Sequence, residues 1–376
     1  TVIRGSTRSR YFTTSIQAAI LMNIYGTAVT SYIFHKMKAG VVDHLKNNNH
    51  GILFKSCEIR LFIIIATSFA FLNLSPTNCF SKESNNILIL LSGNNDVYLD
   101  VATTITNSTI KQCRDSSLSC QDTNFEISQV NSFDENHNHK YRLVVTLGIN
   151  AAMHASDKLS NSIVLSALIP KNSATFYSPS SINPTQYYLY LDQPLHRSLL
   201  LIKSLSDRFK SVGVLINIED EASTSLLTTS ADKLNLTLGI EKINSTEQIG
   251  ASLNRLLFNV DIMLAIPDTY IHNKSTVSNI LLSTYRNRIP LIGFSSAYVK
   301  AGALAAIYSS PEDIAHQVRD NIIDIYSDNA ISNSKQMAKY FSILFNSEAA
   351  RSLGFPIKSV TKLKDEIIKR SSNDIE

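Results

Sequence analysis

From residue 86 onward the chain alternates short, continuous apolar runs with longer amphipathic stretches, and no other feature restricts its fold as strongly. Asn86-Ile-Leu-Ile-Leu-Leu-Ser-Gly93 is the first run; others cover 142–148, 163–168, 212–217, 236–240, 262–266 and 290–294. A run without polar alternation suits a strand buried on both faces. Between the runs lie stretches of helical length at 149–160, 194–210, 221–233, 246–258 and 274–288. This alternation predicts an α/β fold of parallel sheets covered by helices on both faces.

The runs form two sets, separated by the tyrosine-rich stretch Tyr187-Tyr-Leu-Tyr-Leu-Asp-Gln-Pro194, which reads as a crossover. A long amphipathic helix is expected at 311–327, a last strand at 340–346 and a last helix at 347–353. The expected division is 86–192 plus 328–360 for a first lobe and 193–327 for a second. Two Rossmann-like lobes with parallel sheets, joined by hinge crossovers, make a clamshell that closes on a ligand.

In such sheets ligands sit beyond the carboxyl ends of the strands. The candidate ligand-binding residues are therefore Ser92, Gly93 and Asn94; Gly148 and Asn150; Asn217; Asp268; and Ser295, Ser296 and Tyr298. Ile149, Glu219 and Pro267 flank them. Free N–H groups at helix starts suit a carboxylate, and an acid across the cleft suits an ammonium group. At each position the alternative is a cap or a turn.

The charge is unevenly distributed. Of the formal net +4, residues 1–60 carry +6 and the remaining residues −2. Immediately after Arg60, residues 61–74 (Leu-Phe-Ile-Ile-Ile-Ala-Thr-Ser-Phe-Ala-Phe-Leu-Asn-Leu) contain no charge. A basic flank before about 14 mostly apolar residues has the build of a secretory signal, and is short of the roughly 20 residues of a membrane span. The expectation is a leader or over-extended start at 1–60, a signal-peptide-like segment at 61–81, and an extracytoplasmic mature protein. Lipidation at Cys79, an uncleaved anchor, or a membrane-associated helix within 16–34 are the rivals. In an oxidising compartment Cys113 and Cys120 would close a small disulfide loop; two unrelated thiols are the alternative.

An apolar fraction of 44% over 376 residues excludes wholesale disorder, and four cysteines are too few for a disulfide-built scaffold. A small net charge without local clusters gives no reason to expect nucleic acid. His154, His196 and His272 are scattered, and no nucleophile motif, Walker loop or His-Glu-x-x-His helix is present. The run Asp134-Glu-Asn-His-Asn-His139 reads as a solvated loop rather than a metal site. Glu219-Asp220-Glu221 reads as a polar helix start rather than an acid–base pair. No catalytic residue, metal or cofactor is expected.

Three segments are specific: Ile266-Pro-Asp-Thr-Tyr-Ile-His-Asn-Lys-Ser-Thr276, Ile280-Leu-Leu-Ser-Thr-Tyr-Arg286, and the run from Pro290-Leu-Ile-Gly-Phe-Ser-Ser-Ala-Tyr298 to Ala306. Together with Gly148-Ile-Asn-Ala-Ala152, Leu191-Asp-Gln-Pro194 and Asn346-Ser-Glu-Ala-Ala-Arg-Ser-Leu-Gly354, they resemble the bacterial ABC-transporter substrate-binding protein family. The branch in question includes tryptophan- and tyrosine-binding lipoproteins. The resemblance runs from about 86 to 360. It implies a periplasmic-binding-protein-like fold of type I, with ligand contacts at Ser92 and Gly93, the 148–152 turn, Pro267-Asp268 and Ser295 to Tyr298. It also implies a monomeric, exported binder that delivers a small polar ligand, an amino acid or similar, to an ABC permease. Ile149 stands where family members often place a Thr, and Asp268 comes one residue early; both count against an amino-acid ligand. A sensing or partner-binding protein of the same fold is the alternative, and an enzyme on a related fold a more distant one.

Overall fold

The computed structural model describes residues 86–373 apart from 116–119, 121–122, 134–139, 160–161, 177–184, 328, 330, 332 and 357. The described residues lie within the unit Phe80–Glu376. The leader, the signal-like segment with Cys79, and the Asp/His run at 134–139 fall outside them.

The apolar runs become inner strands. The first sheet holds β1 (Asn86–Leu91), β2 (Asn124–Gln129), β3 (Leu143–Leu147), β4 (Ile163–Ile169) and β5 (Gln186–Tyr190), in the order 5-4-3-1-2. The second holds β6 (Ser211–Asn217), β7 (Thr237–Ile243), β8 (Ile262–Leu264), β9 (Leu291–Gly293) and β10 (Ala305–Tyr308), in the order 10-9-8-6-7. The two orders are one permutation used twice, a doubly wound arrangement with its switch point beside the first strand of each set. All these pairings are parallel. In β1, Ile89 stands opposite Ile127 on one side and Val145 on the other. Ile87 to Leu90 are wholly buried, which is why that strand shows no polar alternation. Each such side chain contributes about 1.5–3 kcal/mol relative to exposure.

Helices cover the sheets: α1 (Asp96–Asp115) and α2 (Ile149–Lys158) in the first half; α3 (Leu195–Leu205), α4 (Glu221–Leu234), α5 (Ile249–Leu257), α6 (Val277–Arg286) and the short α7 (Ser296–Lys300) in the second. The acidic trio is a helix start, since the Asp220 carboxylate accepts the Ser223 N–H at 2.9 Å and Asn235 closes α4 in the left-handed conformation.

The chain crosses between sheets three times, and the later crossings differ from the expected division. After β5, Leu191 to Pro194 lead into α3, whose Leu199 to Ile202 pack in the second core. After β10 the chain enters α8 (Pro311–Tyr326), started by a capping box of Ser310 and Asp313. Ile314, Val318, Ile322 and Ile325 of α8 pack in the first core, together with Ala102 and Ile105 of α1. This helix therefore belongs to the first lobe, not the second. β11 (Lys335–Gln336) then pairs parallel with β5, and β12 (Ser342–Phe345) crosses back to pair antiparallel with β10. α9 (Ser347–Leu353) and α10 (Val360–Asn373) follow, with Ala350, Leu363 and Ile367 in the second core. Residues 342–373 are thus part of the second lobe. The period of these segments shows in the sequence, but which sheet they cover depends on the complementary face.

The stretch 187–194 also differs from its reading. Its first half is strand β5, with Tyr188, Leu189 and Tyr190 buried, and the crossover starts only at Leu191. Cys113 and Cys120 form a disulfide that closes a loop at the end of α1, with both residues in the first core.

Candidate ligand-binding cleft

Strands of both sheets end at one cleft of about 490 Å³, within the size range of small-molecule sites. The first lobe contributes Ile149 at the start of α2, Pro170, Asn172 and Ser173 after β4, and Leu191 and Asp192 after β5. The second contributes Ala265 to Thr269 after β8, His272, Phe294 to Ser296 after β9, and Ile307 to Ser309 at the end of β10. Apart from His272, these groups lie at strand ends, as the doubly wound topology requires.

Of the residues expected from sequence, Asp268, Ser295 and Ser296 line this cleft, as do Ile149 and Pro267. Asp268 also shapes its own loop: its Oδ1 accepts the N–H groups of Tyr270 and Ile271, both at 2.8 Å. Ser295 caps α7, its hydroxyl oxygen accepting the Tyr298 N–H at 3.4 Å.

The other expected residues lie outside the lining. The Ser92 hydroxyl oxygen accepts the Ala151 N–H at 2.9 Å and so holds the first turn of α2. Gly93 and Asn94 form the bend after β1, and Asn150 is exposed on α2. Gly148 has φ +89°, and a Cβ there would stand 2.6 Å from the Tyr98 hydroxyl oxygen. Asn217 Oδ1 accepts the Glu219 N–H at 3.1 Å, an Asx turn. Tyr298 is buried behind the wall.

Behind Ser295 stands a trio of rings. The His272 ring meets Tyr298 edge-on, with centroids 5.6 Å apart, and lies 5.7 Å from Phe294. Phe294 and Tyr298 are 5.0 Å apart. His272 Nδ1 and the Tyr298 hydroxyl are 2.6 Å apart. Burial lowers the imidazole pKa to about 4 and raises that of the phenol, so both are uncharged at neutral pH. Tyr298 fits because Gly293 carries no side chain; a Cβ at 293 would collide with the Tyr298 ring and its Cβ.

Asp192, across the cleft, accepts the Lys171 N–H at 2.6 Å. Burial pushes its carboxyl pKa up against the opposing pull of that bond. Asp192 is absent from the sequence candidates because the Tyr-rich stretch before it reads as crossover; as a residue just after strand β5 it obeys the strand-end rule. His272 lies further from a strand end, and nothing in its spacing marks it.

The three crossovers are tied together beside the cleft. Gln193 Nε2 donates to Ser309 Oγ at 2.7 Å and to the Tyr340 carbonyl at 2.9 Å. Ser309 Oγ donates to the Leu191 carbonyl at 2.6 Å. The Arg197 guanidinium donates to Gln193 Oε1 and, at 2.9 Å, to the Ala338 carbonyl. Burial lowers the Arg197 pKa to about 10, leaving it charged at neutral pH.

Among the described residues no group of three or more His, Cys, Asp or Glu could hold a metal ion, and no helix is long and apolar enough to cross a membrane.

The model of the family described as ABC transporter substrate binding protein matches residues 120–368. Among solved structures, a ligand-free, open substrate binding protein with adhesive properties from Clostridium difficile is similar at 16% identity. The match covers 73% of this chain and 96% of that one, with a TM-score of 0.56, a likeness of fold. An ABC domain in complex with L-Trp from Streptococcus pneumonia is similar at 18% identity, covering 75% and 97% with a TM-score of 0.45. No match was found among curated proteins.

Proposed function

We propose that this chain, which belongs to the ABC transporter substrate binding protein family, captures a small polar solute between its lobes and hands it to an ABC-type permease. The observation that carries this reading is the cleft itself: the strand ends of two separate sheets share one wall-to-wall space, and three tied crossovers join the lobes beside it. Such a joint allows a closing motion without rearranging either core. Asn172, Ser173, Asp192, Asp268, Ser295 and Ser296 provide the polar contacts between apolar walls formed by Pro170, Leu191, Ile266 and Phe294.

The protein acts outside the cytoplasm, as a monomer, exported by the segment 61–81. The Cys113–Cys120 bridge supports an oxidising compartment. The hydrophobic Ile149 in the cleft wall, with no hydroxyl to offer a carboxylate, argues for a ligand other than a simple amino acid.

The test is native mass spectrometry of protein purified without refolding, followed by thermal shift against a metabolite panel. The expected result is a co-purified small solute whose readdition raises Tm by mass action, with no turnover. Conversion of the solute to product would replace this reading with an enzymatic one. Stabilising solutes without co-purification of a permease from membranes would favour sensing over transport.

A further inference from the structure

Four helices begin in the lining of the cleft, which on the reading above captures a solute: α2 at Ile149, α3 at Leu195, α7 at Ser296 and α8 at Pro311. Free N–H groups at a helix start attract negative charge. At two of the four the chain supplies the acceptor itself. Ser295 caps the short α7. At α8 the Asp313 carboxylate accepts the Ser310 N–H at 2.9 Å and the Ser310 hydroxyl at 2.7 Å. At α2, Ser92 takes the Ala151 N–H, and Gly148 and Ile149 bring no side-chain donor.

The start of α3 differs. Its N-cap residue, Pro194, provides no side-chain acceptor, and the Leu195 N–H has no acceptor among the described residues. Ser198, one turn further on, is 8% exposed and lines the cleft. Its hydroxyl has no hydrogen-bond partner among the described residues. Its oxygen is nevertheless not wholly shielded, whereas that of Ser204 on the same helix is. A hydroxyl so deeply set, unpartnered and still reachable in a cleft wall is explained if a bound molecule supplies its partner. Residues three apart share one face of a helix, and Cα–Cβ bonds tilt toward the helix N-terminus. The Ser198 hydroxyl therefore leans over the Leu195 N–H, and the two donors converge.

The local charge agrees. Arg197, in the same turn, donates to Gln193 Oε1 and the Ala338 carbonyl, and its guanidinium carbon stands 4.8 Å from the centre of the Phe341 ring. No carboxylate among the described residues offsets its charge. The helix dipole adds about half a positive charge at this end. Asp192 and Asp268 line the same cleft and suit donor groups elsewhere on the solute. We propose that the start of α3, through the Leu195 N–H and the Ser198 hydroxyl, holds an oxyanion of the captured solute, a carboxylate or a phosphate.

The test pairs each anion with its uncharged counterpart, carboxylic acids with their primary amides and phosphate monoesters with their parent alcohols. Neutral polyols and monocations complete the panel. Thermal shift identifies binders, and calorimetry gives their affinities for wild type, Ser198→Ala and Ser92→Ala. Binders are expected among the acids or the esters, about tenfold or more tighter than their uncharged counterparts, and the set that responds identifies the oxyanion. Ser198→Ala should weaken these anions about tenfold and leave the uncharged counterparts unchanged. Since the Ser198 hydroxyl makes no bond within the described chain, the unliganded variant should keep the wild-type unfolding midpoint. Binders confined to the polyols and monocations, or anion affinities unchanged in Ser198→Ala, would overturn the assignment while leaving solute capture standing. Loss of anion binding in Ser92→Ala alone would place the oxyanion at α2 and overturn it equally. No stabilisation by any set would overturn capture, and the assignment with it.

Discussion

Gln193 Nε2 lies 2.7 Å from Ser309 Oγ, although 116 positions of chain separate the two residues. One stands where the chain first leaves the first lobe and the other where it returns. The same amide reaches Tyr340 on the third crossing. One side chain therefore joins all three crossings, and Arg197 fixes that side chain from behind.

Replacing Gln193 by Leu leaves Ser309, the Tyr340 carbonyl and a half-buried Arg197 with fewer partners. The expected loss is about 2–3 kcal/mol, since unsatisfied buried groups cost more than the bonds themselves contribute. Urea unfolding should show a lower midpoint with an unchanged slope. An unchanged midpoint would mean that the crossovers are held by other contacts.

The disulfide closes a short loop between Cys113 and Cys120. Substituting both by Ser is expected to lower stability by about 2–3 kcal/mol, mostly by releasing the unfolded chain. Wild type in reductant should fall to the same value, and the double variant should be insensitive to reductant.

At Gly148 the backbone has φ +89° and a Cβ would meet the Tyr98 hydroxyl. Gly148→Ala is expected to cost about 2–3 kcal/mol, part backbone strain and part collision. Adding Tyr98→Phe removes the nearest atom, so the double variant should recover part of that loss. A double-mutant cycle reads the coupling; strictly additive effects would assign the cost to the backbone, the Ser92 hydroxyl and the Tyr98 ring rather than to the phenol oxygen.

His272 gives stability a pH dependence of known sign. Its folded pKa, about 4, lies below the unfolded value, so between the two the unfolded state binds more protons. The contribution is fully present above about pH 6.5 and is lost progressively as pH falls toward 4. From pH 7.5 to 5 the expected loss is roughly 2 kcal/mol. His272→Gln should remove that share of the slope.

The fold was legible where the signal is local. Wholly buried parallel strands such as β1 show as unbroken apolar runs, and Ser310-Pro311 announces α8. Features that depend on distant partners were less so. α1 leaves little mark in the sequence because its buried stripe of Val101, Ile105, Thr109 and Cys113 includes a threonine and a disulfide-bonded cysteine and gives a weak apolar period. The Tyr-rich β5 resembled a linker, since its tyrosines are amphipathic and only packing reveals them as core. In the cleft, Asp268, Ser295 and Ser296 follow strands and were found by that rule. In the sequence His272 is one scattered histidine among others, because its partner Tyr298 lies 26 positions away.

Two of the edge strands, β11 and β12, come from one short stretch near the end of the described chain, and each completes a different sheet. The first lobe also lacks α8 until the whole of β6 to β10 has been made. Neither lobe is therefore a contiguous fragment that could be cut out and expressed intact. During synthesis the first lobe must wait, with the apolar surface that α8 covers still open, while the strands of the second emerge. Folding of the two lobes is coupled by the path of the chain itself, and delay or truncation near residue 311 leaves both incomplete.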